Sequence, residues 1–350
     1  MTTVTADGVR ICRVQPDASD DWYRVAREQS HSHLAHSPEW AAVIREAYGH
    51  VPLYLAAEDT HGDAGLLPAV IVERPFVGAV VSSMPFLDGG GPCSSSPAVS
   101  DALVRRLVHE ARAIGASVVE IRSAHRLEIA TEPRAHKVNL VLPLPASTDT
   151  LWRQLDRGVR NQIRKAERAG LSVEFGGIEH VDAFYEIFAA RMSDLGSPVH
   201  AQRFFHATVA AFGNRARVAL VRKDQTPVGG LIALAFKDVL VVPWASCAKE
   251  HFPLCPNMLL YWETIRTGCL EGFQRFDFGR STRGSGTHHF KRQWGALERP
   301  LFWYTIPIGC GRRLARVESR AAACLTGLWQ RLPLTVTRHV GPRVRKYLVQ

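Results

Sequence analysis

No stretch of about eighteen consecutive uncharged apolar residues occurs in this sequence, so a membrane-spanning helix is not expected. Met1–Arg10 carry Asp7 and lack the apolar run of a secretory signal, so the chain is read as cytoplasmic. Cysteine is sparse and unpatterned. The seven residues Cys12, Cys93, Cys247, Cys255, Cys269, Cys310 and Cys324 are scattered, odd in number and nowhere spaced Cys-x-x-Cys. Neither a disulfide framework nor a zinc knuckle follows from them; reduced thiols packed as small hydrophobes do. A Gly-x-Ser-x-Gly elbow and a Walker loop are both missing, which leaves hydrolase and NTPase chemistry without an anchor. His31, His33 and His36 alternate ahead of a helix with no carboxylate or cysteine set beside them, and His288-His289 are consecutive and diverge. Loop and cap roles suit them, and no metal is expected.

The chain's 350 residues are 46% hydrophobic and 22% charged, the balance of a folded protein with room for two cores. Its net charge of +10 invites a nucleic-acid reading, but residues 311–350 alone carry +8 of it. The body, residues 1–310, is nearly neutral.

Helices and strands alternate along the body, in an order written twice. Ser37-Pro38-Glu39 opens a helix that stops at Gly49, serine capping it and proline suiting its first turn. Strand-like runs follow at Pro52–Ala57, Leu66–Val72 and Ala79–Phe86, then the breaker Asp88-Gly-Gly-Gly-Pro92, a helix over Ala98–Ile114 and a strand over Ser117–Ile121. After an apparent crossover at Asn139–Pro145, a helix is expected over Thr148–Ala169 and a strand over Leu171–Phe175. Helices at Val181–Leu195 and Ala201–Phe212 come next, then strands at Val218–Val221, Val228–Ala235 and Val239–Trp244. Pro256-Asn257 opens a helix to Leu270, and Arg275–Phe278 is the closing strand. Three strands, a Gly- or Pro-bearing break, a helix and a strand therefore recur, as in a duplicated domain. Leu314, Val317, Ala321, Leu325 and Leu328 recur at helical spacing in the basic tail, which suits either an anionic bilayer surface or packing on the second domain.

Three segments carry candidate chemistry. In the first, a strand delivers Asp277, and a loop of glycines and hydroxyls (Arg280, Ser281, Thr282, Gly284, Ser285, Gly286, Thr287) leads into a short helix bearing Lys291. Turned-in backbone N–H groups and a lysine one turn on suit a phosphate or an oxyanion; a solvated surface loop is the alternative. In the second, Arg157, Arg160, Arg164 and Arg168 form one stripe on a helix that also carries Asn161 and Lys165, either a solvated face or a receiver of phosphates. The third pairs Trp244-Ala245-Ser246-Cys247 with Asn257 at the start of the next helix.

Taken in order, these segments resemble the FemAB family, and within it the FemAB-like proteins associated with exosortase (PEP-CTERM) and exopolysaccharide systems. The resemblance spans nearly the whole chain. It rests on His36-Ser37-Pro38-Glu39-Trp40 with Tyr48-Gly49-His50, on Arg160-Asn161-Gln162-Ile163-Arg164-Lys165-Ala166, and on Pro243–Ser246 with Pro256–Trp262. Phe276–Thr282, Gly284–Thr287, Phe290-Lys291 and Gln293-Trp294-Gly295 complete it. It implies an α/β (α+β) fold of two tandem GNAT-like domains, each a mixed sheet flanked by helices, over residues 1–146 and 147–310, followed by a basic helical tail, 311–350. It implies an acyltransferase that moves an acyl or aminoacyl group to an amine of a cell-envelope glycan, peptidoglycan or exopolysaccharide precursor. The acceptor would be nucleotide- or lipid-linked. The donor would be acyl-CoA or aminoacyl-tRNA, with no permanently bound cofactor. Lys291 maps to the lysine thought to steady the developing oxyanion, and Asp277 is the candidate to orient or deprotonate the amine. Arg160, Arg164 and Lys165 would meet acceptor phosphates. The usual acyl-CoA signature is missing from Lys249–Asn257, and no long coiled-coil arm is inserted. The alternative left open is a non-catalytic GNAT-like scaffold of a membrane-associated polysaccharide assembly. Its tail, residues 311–350, would touch the inner face of the membrane.

Overall fold

A computed structural model describes residues 3–6, 8–15, 20–75, 78–309 and 326–349. These form two compact units. The first takes residues up to Lys137 with Pro300–Pro307 and Lys346–Val349; the second takes Val138–Arg299 with Leu334–Arg345. Both are mixed sheets flanked by helices, the expected fold class.

In the first unit, β1 (Thr3–Ala6), β2 (Val9–Val14), β3 (Val51–Asp59), β4 (Ala64–Arg74) and β5 (Gly78–Ser82) pair antiparallel in sequence order. A short strand, β6 (Cys93–Ser94), joins β4. β7 (Val118–Ser123) lies parallel to β5 because α3 (Pro97–Ala113) crosses over between them. Ser96 caps α3 from its hydroxyl, and Leu103, Leu107 and Ala111 bury its apolar stripe against Leu55, Leu67, Val119 and Ile121. Two helices, α1 (Asp20–Glu28) and α2 (Glu39–Tyr48), complete the unit; Gly49, left-handed at φ +72°, ends α2 where the sequence predicts its stop.

Of the loop histidines, His36 has a structural role. The His36 ring is buried, its Nδ1 accepting from the His33 N–H (3.0 Å) and its Nε2–H donating to the Gly91 carbonyl (2.8 Å). Burial lowers its pKa to about 4. Between pH 6.5 and 4 the unfolded chain therefore binds a proton that the folded chain refuses. Stability should fall across that window by as much as roughly 3 kcal/mol, full above pH 6.5 and gone below pH 4. Urea unfolding at pH 7 and pH 5 checks this, and His36→Gln should flatten the dependence.

In the second unit, β9 (Leu171–Gly176), β10 (Ala216–Lys223), β11 (Thr226–Phe236) and β12 (Val239–Cys247) run antiparallel, in the spatial order 9-10-11-12. Next to β12, in parallel, lies β13 (Arg275–Thr282), reached through α8 (Pro256–Leu270); β8 (Arg134–Pro143) follows. One face is covered by α4 (Thr148–Gln154), α5 (Arg157–Arg168) and α8, whose Leu151, Ile163, Leu260 and Ile265 share a core with Leu231, Leu240, Phe276 and Phe278. Further helices are α6 (Val181–Asp194), α7 (Gln202–Phe212) and α9 (Gly286–Arg292). Phe184, Phe188, Phe204, Phe205 and Trp244 form a separate aromatic cluster.

Four expectations need correcting. The single helix over Thr148–Ala169 is two, because buried Leu155 is extended (ψ 141°) and Asp156 starts a new helix. The strand read to Phe86 ends at Ser82, since Met84 and Phe86 have positive φ. Asn139–Pro145 is mostly strand β8 rather than a crossover. Pro300–Pro307, placed by sequence in the second domain, lies in β14 (Leu297–Pro307), which pairs with β7 of the first unit through Phe302–Pro307. Of the tail, Cys310–Leu325 lie outside the described residues, whereas α10 (Leu334–Arg345) packs on the second unit. No helix among the described residues is long and apolar enough to cross a membrane.

Candidate active site

β12 and β13 pair over only three residues each, Val239–Val241 with Arg275–Asp277, and then part. The sequence supplies both bends. On β12, Pro243 has no N–H to offer, and the register to β11 slips between Ile232 and Leu234, a bulge that turns the strand. On β13, Oδ1 of Asp277 accepts the N–H of Gly279 (2.7 Å), an Asx turn, and Gly279 adopts φ +72°. A side chain there would meet the Val242 carbonyl 3.3 Å from its Cβ, which is why the position wants glycine. The result is a wedge between two parallel strands that part toward their carboxyl ends.

Both oxygens of Asp277 are engaged, the second by the side-chain amide of Asn139 (2.7 Å), and the residue is buried. Lys291, also buried, reaches back from α9 to donate to the carbonyls of Gly279 (3.0 Å) and Arg280 (2.8 Å). Its ammonium therefore fastens β13 where it leaves the sheet. The hydroxyls of Ser246 and Ser281, one on each departing strand, are buried and lack a partner among the described residues. Asn139 Oδ1 and Trp294 Nε1 are buried and unsatisfied too. Such orphans cost stability and mark where water or substrate completes the bonding.

The hydroxyl loop is more self-contained than its composition suggests. Ser285 accepts the His288 N–H (3.3 Å) as the N-cap of α9 and meets Thr287 Oγ1 (3.0 Å), while the Gly284 N–H donates to His288 Nδ1 (3.3 Å). His288 Nε2 then donates to Glu298 (2.9 Å), which Arg283 also binds (3.0 Å). Arg283 and His288 together hold that carboxyl below the usual range. Thr282, Gly284, Gly286 and Thr287 are exposed. Burial pushes the Cys247 thiol upward, so it is no thiolate nucleophile near neutrality.

The basic stripe stands on α5, which turns Val159, Ile163 and Ala166 inward. Arg164 lies 5.4 Å over the Trp152 ring, and Arg160 is half-buried with an unsatisfied Nε. Asn161 and Lys165 are exposed, and among the described residues no hydrogen bond or ion pair ties the stripe to the wedge. Asn257 is half-buried in the first turn of α8, after Cys255 in the left-handed region. The wedge thus gathers Asp277, Arg280, Ser281, Lys291 and Ser246. Asn139 was missed from sequence because its strand reads as a linker.

The first unit repeats the parallel pair, Val80–Ser82 with Val118–Glu120, but stitches the gap shut. The Ser83 N–H donates to the Glu120 carbonyl (2.8 Å), and Arg122 donates from its N–H to Ser83 Oγ (2.9 Å) and from its guanidinium to the Leu87 carbonyl (2.9 Å). That buried guanidinium lies 4.7 Å from the Trp303 ring centroid.

Residues 153–292, which contain the wedge, match the family model described as an acetyltransferase (GNAT) domain. No curated protein matches the chain. Solved structures with the same fold include FemX, at TM-score 0.66 and 13% identity over 88% of this chain and 99% of that one. The C-terminal domain of a putative lysylphosphatidylglycerol synthetase from Agrobacterium fabrum aligns at TM-score 0.57 and 13% identity, over 87% and 96%. A tandem GNAT protein from the clavulanic acid biosynthesis pathway aligns at 0.53 and 9%, over 86% and 99%. The chain therefore has the tandem GNAT-like fold, and its second unit carries the GNAT acetyltransferase domain.

Proposed function

We propose that the second unit transfers an acyl or aminoacyl group to an amine of a cell-envelope precursor, a peptidoglycan or exopolysaccharide building block. The observation that carries this reading is the wedge between β12 and β13, with an orphaned hydroxyl on each strand, Ser246 and Ser281, and Lys291 fastening β13. A donor carbonyl entering between the strands accepts hydrogen bonds from such groups. As the amine attacks, the carbon–nitrogen bond forms and the carbonyl oxygen takes up negative charge, which the hydroxyls and the Lys291 ammonium stabilise. Collapse expels the thiol of acyl-CoA or the ribose hydroxyl of aminoacyl-tRNA, which takes the proton lost by the amine. Asp277 acts by setting the bend of β13. The FemAB resemblance and the fold shared with a lysylphosphatidylglycerol synthetase domain support aminoacyl transfer; the GNAT match supports acyl-CoA. Any contact with an anionic membrane is assigned to the tail arginines Arg312, Arg313, Arg316 and Arg320, since α10 is committed to the second unit.

The test supplies acyl-CoA or aminoacyl-tRNA with a nucleotide-linked amino sugar and looks for the product by mass. Absence of product with every pairing, from protein that melts cooperatively, would leave the scaffold reading. In the same assay, Arg160→Gln with Arg164→Gln should raise the acceptor KM about tenfold while lowering kcat less, as loss of two phosphate contacts does. An unchanged KM makes the stripe a solvated face.

A further inference from the structure

The first unit holds a cavity of about 160 Å³ at the start of α3, closed on its other side by the segment that follows β7. α3 contributes Pro97, Ser100 and Asp101; the facing wall is His125–Ile129, with His31 beside it. A second cavity, about 510 Å³, continues along α3 past Val108 and Arg112. The two share Asp101, Val104, Glu128 and Ile129, which therefore stand at their junction, whereas His31, His125 and Ser100 line only the first and mark its far end.

The two ends differ in chemistry. At the far end the His31 and His125 rings lie 5.2 Å apart between centroids, and no ring nitrogen of either is hydrogen-bonded among the described residues. Burial first, then His31, holds the His125 imidazole below its ordinary range, so near neutrality it is an uncharged ring with one N–H to donate. Ser100 is only 8% exposed, yet it lines the cavity and its hydroxyl has no partner among the described residues. A buried polar group left open in this way marks where a ligand completes the bonding. The same end is the N-terminus of a seventeen-residue helix with no acid in its first turn, which favours negative charge. At the junction, Glu128 carries an exposed carboxylate with no ion pair among the described residues. The other charges of the lining are matched: Asp101 binds Arg105 (2.6 Å) and Arg126 binds Glu132 (2.8 Å). Val104, Leu127 and Ile129 supply apolar wall.

We propose that this cavity binds a free α-amino acid with a small apolar side chain. Its carboxylate is received by His31, His125 and Ser100 at the start of α3, and its ammonium by Glu128. An anion-seeking end and a lone carboxylate in one small cavity match a zwitterion, and neither end of a peptide carries both charges. At about 30 Å³ per water in the liquid, the cavity has the room of about five waters, which suits a side chain such as valine's. The site belongs to the first unit and does not rest on the reaction proposed for the wedge.

Calorimetric titration of the full chain with L-valine should show one site. Acetate and ethylamine, which carry one charge each, should bind about tenfold or more weakly, since either loses the charge-assisted bonds of one end. Glu128→Gln should weaken L-valine about tenfold and leave acetate unchanged. His31→Gln with His125→Gln should weaken both ligands. Glu128 and His31 are exposed and His125 half-buried, so these variants should melt like wild type. Arg10→Gln breaks an exposed ion pair with Glu58 outside the lining and should bind normally. Binding of acetate as tight as that of L-valine leaves an anion site only and overturns the proposal. It is overturned equally if wild-type protein does not bind L-valine, if ethylamine matches it, or if Glu128→Gln or the double histidine variant binds L-valine like wild type.

Discussion

Under the proposed function, Lys291→Ala should lower turnover by about a hundredfold or more, the usual loss when one preorganised stabiliser of an oxyanion is removed. The expectation comes from where the ammonium is anchored. It is buried and donates to the Gly279 and Arg280 carbonyls at the point where β13 leaves the sheet, so the charge is held at the wedge before substrate arrives. The same bonds mean that alanine also leaves two carbonyls without this donor, and melting should fall by a few degrees. Lys291→Met keeps the aliphatic stem packed and separates the effects: turnover should be lost as fully, with the fold retained. Arginine should not rescue, since a planar fork cannot take the place of a compact ammonium between two carbonyls. A methionine variant that melts normally and turns over near the wild-type rate removes Lys291 from the reaction.

The second large effect is expected at Asp277. Alanine there strips the acceptor from the Gly279 N–H and the partner from the Asn139 amide, both in a buried setting, and should cost about 3 kcal/mol together with most of the activity. Asparagine should behave differently. It keeps an oxygen for the Gly279 N–H, and Asn139, whose Oδ1 has no partner, can turn its amide to accept from the new one. Asp277→Asn should therefore stay within roughly 1 kcal/mol of wild type and keep turnover within about tenfold. Denaturant titration beside a rate measurement decides the role. A stable asparagine variant as inactive as Lys291→Met assigns Asp277 to proton transfer instead of positioning.

Where the sequence was legible, local chemistry was strong. Gly49 closes α2 and Pro256 opens α8, because such residues act on their own segment. Ser37, expected to cap α2, makes no cap bond: Pro38 takes the N-cap position, and the Ser37 hydroxyl is buried without a partner among the described residues. The Asp277–Gly279 bend was half visible: both residues stand out, but the Asx turn joining them needs strand geometry. Leu155 gives no sign that it breaks a helix, since buried leucine is an ordinary helical residue and its extended backbone answers to tertiary packing. β14 was lost because its partner strand lies far back in the sequence. His200 and Arg345 stand 145 positions apart, and no periodicity encodes their bond. In the tail, the amphipathic stripe from Leu314 to Leu325 lies outside the described residues, and α10, a later segment, shows its protein partner only through the contacts of Thr337, Arg338 and Gly341.

A duplicated fold offers two places for chemistry, yet Arg122 occupies one of them. With the first gap stitched by Ser83, Glu120 and that guanidinium, the proposed reaction is left the wedge of the second unit among the described residues. Saturation by the proposed donor should then follow one hyperbola with unit stoichiometry. A sigmoidal curve, were it seen, would have to come from a second chain and not from the second copy of the fold.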